Sequence, residues 1–121
     1  MKKLLIVEDE AALQDALQKV FTTEGYEVSQ AFDGEEGIKL AKEKKPDMIL
    51  LDLILPKKHG FEVLQEIKAD ASLKDVPVLV LTNLEESTEV MKAIELGARG
   101  YLVKANYALK EVLAKVKDIL G

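Results

Sequence analysis

The chain contains no cysteine, which excludes a disulfide framework and a thiolate metal site. It has one histidine, His59, in a loop segment, read here as an ordinary solvated residue and not as a phosphorylation or metal site. No apolar run approaches the roughly 18 residues of a membrane span. The apolar run Leu4-Leu5-Ile6-Val7 after Met1-Lys2-Lys3 stops at Glu8-Asp9-Glu10, short of the roughly 7–15 residues of a signal-peptide core. A net charge of −5 with no basic cluster argues against direct contact with nucleic acid. These absences predict a cytoplasmic protein that does not enter a membrane. What is present, 121 residues with 48% hydrophobic and 32% charged, predicts one globular domain over residues 1–121.

Three short apolar runs read as strands buried on both faces: Leu4–Val7, Met48–Leu51 and Val76–Leu81. Tyr26–Ala31 alternates more and is more polar, which suits an edge strand. Gly100–Val103 completes five. Between them lie helical patterns. Leu13, Ala16, Leu17, Val20 and Phe21 share one face, and Gly25 stops that helix. Asp33 with Glu36 reads as a capped helix start, followed by Ile38 and Ala41. Phe61, Val63, Leu64 and Ile67 mark the third helix, and Val90, Met91 and Ile94 the fourth, with Asn83 and Glu86 as its cap. Asn106 caps a last helix bearing Leu109, Val112, Leu113, Val116, Ile119 and Leu120. Met48, Met91 and the aromatics are assigned to the core, except Tyr101 and Tyr107, which are assigned to a surface. Alternation of strand and helix at this spacing predicts an α/β fold, a doubly wound parallel sheet with helices on both faces.

In such a sheet the strand ends share one edge, where ligands bind. The ends carry Glu8 and Asp9, then Asp52, Thr82 and Lys104. Each has an ordinary alternative. Glu8-Asp9-Glu10 suits a helix N-terminus, Thr82 a local turn, Lys104 a solvated surface, and Asp52 a polar strand end. Taken together they fit one site. Three clustered carboxylates resist ionisation unless a cation compensates, and oxygen-only ligands suit Mg²⁺ better than zinc. A metal, an ammonium and a hydroxyl together describe a phosphoryl site. The available nucleophile is a carboxylate, which can become an acyl phosphate.

This set resembles the receiver domain of two-component response regulators, over essentially the whole chain. Glu8-Asp9 matches the family's acidic pair, Asp52 its phosphoacceptor, Thr82 its Thr/Ser and Lys104 its lysine, at the family's spacing. Pro56 and Gly60 match its loop, and Tyr101 its switch aromatic. The resemblance implies a flavodoxin-like (βα)5 sheet of order 2-1-3-4-5. It implies that Asp52 takes a phosphoryl group from a sensor histidine kinase or a phosphotransfer protein. Mg²⁺ would be held by Glu8, Asp9, Asp52 and the backbone carbonyl of Ile54. Lys104 would bind a phosphoryl oxygen, Thr82 would move to the new phosphoryl group, and Tyr101 would turn inward. The surface of the fourth helix, fifth strand and fifth helix would then change for an unknown protein target. The module is a switch and not an enzyme in the usual sense, a monomer or a phosphorylation-dependent dimer. No output domain follows the last helix, so it acts alone through protein contacts or was cut from a longer chain.

Two departures matter. Ala105 stands where the family usually has proline, so the Lys104–Ala105 peptide is predicted to be trans. Ile54 and Leu84 stand near the family's path for hydrolytic water and cannot orient it by hydrogen bonding, which predicts slow self-dephosphorylation. The competing functions are a phosphorylation-independent scaffold with this fold, an aspartyl-phosphate hydrolase and a flavin or dinucleotide binder. The intact acidic, hydroxyl and lysine set argues against the first. Haloacid-dehalogenase-type hydrolases need Asp where Ile54 stands, and Glu8-Asp9-Glu10 replaces the glycines that would cradle a dinucleotide.

Overall fold

The computed structural model describes residues 2–82, 87–103 and 108–120. In chain order the elements are β1 (Lys3–Val7), α1 (Ala11–Thr23), β2 (Glu27–Ala31), α2 (Gly34–Lys44), β3 (Met48–Asp52), α3 (Gly60–Ala69), β4 (Val78–Thr82), α4 (Ser87–Glu95), β5 (Gly100–Val103) and α5 (Leu109–Leu120). The strands form one parallel sheet of order β2-β1-β3-β4-β5. This is the doubly wound parallel sheet that the sequence pattern predicts, in the flavodoxin-like order that the family resemblance implies.

The apolar runs are continuous because both faces of the sheet are covered. Successive side chains point to opposite faces, and the core divides accordingly. Leu5, Val7, Ile49, Leu51, Val78 and Val80 pack under α2, α3 and α4, with Val63, Leu64, Ile67 and Ala93. Leu4, Ile6, Met48, Leu50, Leu79 and Leu81 pack under α1 and α5, with Leu17, Phe21, Val112 and Val116. The central strand β3 is buried along its whole length. β2 is half-exposed along most of its length, as an edge strand is.

Local chemistry sets the helix ends. The Asp33 side chain accepts from Glu36 N (2.8 Å), and the Glu36 carboxylate accepts from Phe32 N (2.7 Å), one residue earlier than in the usual reciprocal box. Gly25 and Gly97 follow α1 and α4 with φ of +92° and +109°, the left-handed conformation that favours glycine. The stem of Lys68 lies over Gly97, while its Nζ donates to the carbonyls of Lys74 (3.1 Å) and Val76 (2.9 Å). Partial burial holds the Lys68 ammonium below the usual lysine range, with Arg99 adding to the shift.

Several expectations are corrected. Met91 is 60% exposed and Ile94 44%, so neither belongs to the core. The face of α4 that packs inward carries Ala93, and the larger side chains face out. Phe32 is also exposed, because it leaves the edge strand β2 just as the chain turns into the cap of α2. β4 begins at Val78 and not at Val76: Pro77 has no N–H to donate, and only its carbonyl joins the ladder, accepting from Ile49 N (3.0 Å). The proposed caps at Asn83–Glu86 and Asn106 lie outside the described residues.

Candidate functional site

Two neighbouring strands build the site. Val7 pairs with Leu51, so the next residues along each strand, Glu8 and Asp52, emerge side by side at the C-terminal edge. The sheet order turns at β1, which puts this edge at a topological switch point. Carboxylate oxygens of Glu8, Asp9 and Asp52 lie within 4.8 Å of one another. Glu8 is fully buried, Asp52 is 4% exposed, and Asp9 faces solvent.

Backbone donors orient two of the three. Glu8 Oε2 accepts from Glu10 N (3.0 Å), just before α1 begins, and Asp52 Oδ1 accepts from Ile54 N (3.3 Å). The acidic triplet is therefore not the first turn of a helix: α1 starts at Ala11 and has no acidic residue in its first turn. From the far side, Gly60 N donates to Leu53 O (2.8 Å), drawing α3 against the loop that leaves Asp52.

At an effective dielectric constant of about 20, two full charges this close repel by roughly 3 kcal/mol or more. Burial of two of them sharpens the cost. Oxygen donors so arranged, two buried and one open to solvent, fit a hard divalent cation with room for water. The donor set contains no sulfur or imidazole, which disfavours zinc.

The remaining predicted residues divide into two groups. Ile54 follows Asp52 by two residues in the loop after β3, with its side chain 51% exposed. Tyr101 lies on β5, 44% exposed, pointing away from the core as expected of a surface aromatic. Thr82 is the last residue of β4, opposite Val103. The Thr82 side chain, Lys104 and its peptide to Ala105, Leu84 and Tyr107 lie outside the described residues. The structure thus brings Glu8, Asp9 and Asp52 together.

Two residues have roles that differ from the sequence reading. His59 is not merely solvated: it is the N-cap of α3, its Nδ1 accepting from Phe61 N (3.0 Å), with the two rings 4.8 Å apart. No Ser, Thr, Asp or Asn stands there, and the imidazole supplies the acceptor instead. Gln14, which the sequence reading gives no role, is fully buried beneath the acidic loop. Its signal was available: it shares the stripe of Leu17 and Phe21 at three- and seven-residue spacing, a polar side chain on a core face.

A family model described as the response regulator receiver domain matches residues 4–117, and the chain belongs to that family. It is 39% identical over 120 residues to the DNA-binding dual master transcriptional regulator RpaA of Synechocystis sp., a match covering 99% of this chain and 49% of that protein. The chain thus spans about half the length of the curated relatives it matches. Among solved structures, the chemotaxis response regulator CheY4 of Vibrio cholerae superposes with a TM-score of 0.93 at 28% identity, over 99% of each chain. The Mn(2+)-bound form of response regulator Rcp1 superposes with a TM-score of 0.83 at 36% identity, over 98% of this chain and 91% of that one. The fold is that of a receiver, and the acidic cluster lies at the C-terminal edge of its sheet.

Proposed function

We propose that the chain accepts a phosphoryl group on Asp52 from the phosphohistidine of a sensor histidine kinase or phosphotransfer protein, with Mg²⁺ bound beside it. The observation that carries this is the meeting of Glu8, Asp9 and Asp52 carboxylate oxygens within 4.8 Å at the end of β3. Membership of the receiver family supports it, and a similar structure is described as Mn(2+)-bound. Glu8, Asp9 and Asp52, with the carbonyl of Ile54, would hold the ion. When bound, it supplies positive charge against the carboxylates and the oxygens of the transferring group.

The chain's own residues do the rest. Ile54 N–H fixes one oxygen of Asp52 and so aims the carboxylate out of the sheet. A carboxylate oxygen of Asp52 forms the new O–P bond as the donor's N–P bond breaks, and the imidazole nitrogen keeps the electron pair. Lys104 pairs with a phosphoryl oxygen, and the Thr82 hydroxyl donates to another once the bond has formed. Tyr101 then leaves its exposed position and turns inward. Met91, Ile94 and Tyr101 are exposed on α4 and β5. They give that surface an apolar character which a protein target selects in one of its two shapes. The protein is accordingly a switch read by protein contact, not a turnover catalyst, and its acidic charge fits a role without direct nucleic-acid contact.

Incubation with a small phosphodonor followed by borohydride reduction and peptide mapping tests the assignment. An acyl phosphate on Asp52 appears as a reduced residue at position 52. Reduction at another carboxylate refutes the assignment of Asp52, and no reduction at all points to a phosphorylation-independent scaffold.

A further inference from the structure

We infer that Gln14 is a positioning residue for the cation site: its side-chain amide fixes the peptide joining Glu8 to Asp9 and thereby sets divalent-cation affinity. This rests on the metal reading above and extends it to a residue outside the ligand set.

Gln14 lies in α1 with no exposure to solvent. Its Nε2 is 2.9 Å from Ile6 O, 3.1 Å from Glu8 O and 2.7 Å from Ala31 O. One NH₂ group has two hydrogens, so the three carbonyls share them. All three lie at the C-terminal ends of β1 and β2, under the acidic loop. Ala31 O also accepts from Glu8 N (2.9 Å). Glu8 is therefore held at its N–H by Ala31, at its C=O by Gln14 and at its carboxylate by Glu10 N. The Glu8 carbonyl belongs to the peptide plane that leads into Asp9. Rotating that plane swings the Asp9 side chain relative to Asp52, so the amide that pins it governs whether the carboxylates meet.

The acceptor half of the same side chain points to a positioning role and not a packing role. Gln14 Oε1 is buried without a hydrogen-bond partner among the described residues. An unsatisfied buried carbonyl is costly, and Met or Leu would fill this core-facing position without that cost. What the amide adds is a neutral donor, which binds three carbonyls without placing a full positive charge beside a cation site. Partners of metal ligands act in this way, and their loss typically weakens metal affinity by about 10–100-fold.

The test compares wild type, Gln14→Met and Leu17→Ala by the Mg²⁺ dependence of phosphorylation from a small phosphodonor. Leu17 is buried on the same helix but takes no part in the site. Gln14→Met should raise the half-saturating Mg²⁺ concentration about tenfold, with the rate at saturating Mg²⁺ kept within about twofold. Leu17→Ala should lower the melting temperature and leave half-saturation unchanged. An unchanged half-saturation in Gln14→Met overturns the positioning role while leaving the metal reading intact. Loss of Mg²⁺ dependence in the wild type overturns both. Should Gln14→Met not fold, the wild type still decides: the Gln14 side-chain amide protons should shift in step with the Glu8 and Asp9 backbone amides during a Mg²⁺ titration followed by NMR. A Gln14 amide that does not respond while those amides do refutes the inference.

Discussion

The Cβ that Gly60 lacks would lie 2.7 Å from the carbonyl oxygen of Asp52 and 2.5 Å from Leu53 Cα. The first turn of α3 thus presses directly on the peptide that follows Asp52, the proposed phosphoacceptor. Gly60→Ala must push that backbone aside, and overpacking of this kind costs about 1–3 kcal/mol. The expected outcome is a lower urea midpoint together with weaker Mg²⁺ binding. A variant with normal cation affinity would show that the contact does not position Asp52.

Cation binding should stabilise the fold, because the folded state gathers three carboxylates that the unfolded chain separates. At a Mg²⁺ concentration 100 times its Kd the stabilisation is about 2.7 kcal/mol. A chelator should remove it. Asp9→Asn should also raise stability in the absence of metal, because one like charge is removed; Asp9 faces solvent, so the gain is set by a water-like dielectric and reaches about 1 kcal/mol. It should also abolish most of the Mg²⁺ response. Thermal melts with Mg²⁺ and with chelator check both.

The loop after α3 predicts an acid-sensitive contribution. Asp70 accepts from Ser72 Oγ (2.7 Å) and Ser72 N (2.8 Å), first the hydroxyl and then the amide holding its carboxyl below the usual aspartate range. A depressed folded pKa means the unfolded chain binds more protons. The stabilisation is thus complete above about pH 4 and fades as pH falls through the folded value. Asp70→Asn should therefore be less stable than wild type at pH 6, with the gap narrowing as pH falls below about 4. A gap that does not narrow in acid contradicts this.

Ile54 exposes half of its side chain beside Asp52 and offers no group that could orient water. Once formed, the acyl phosphate should persist in the purified protein. Ile54→Gln, which supplies an amide there, should shorten its lifetime severalfold. Rapid phosphate loss from the wild type would overturn this reading of Ile54.

Much of this was legible in the sequence, and the reasons are physical. β1, β3 and β4 are short apolar runs because helices cover both faces, and each run ends at the C-terminal edge of the sheet. A carboxylate at that point, as at Asp52, is visible for the same reason. Burial direction was less legible. Val90, Met91 and Ile94 look like one helix face, yet the inward position belongs to the small Ala93, since packing and not hydrophobicity alone selects the face. Gln14 and His59 were missed for a common reason. Each uses a polar atom to satisfy backbone groups, at Ile6, Glu8 and Ala31 or at Phe61, and those partners are set by tertiary contact or by an unusual cap. The family match over residues 4–117 agrees with the receiver reading, which depended on residue types at strand ends and not on helix faces.

Intact mass after incubation with a small phosphodonor tests the central claim most directly, with wild type and Asp52→Asn each run with Mg²⁺ and with chelator. The account predicts a single phosphoryl adduct on the wild type with Mg²⁺, lost with chelator and absent from Asp52→Asn. An adduct that survives in Asp52→Asn, or a wild type that binds Mg²⁺ and gains no adduct, would contradict it.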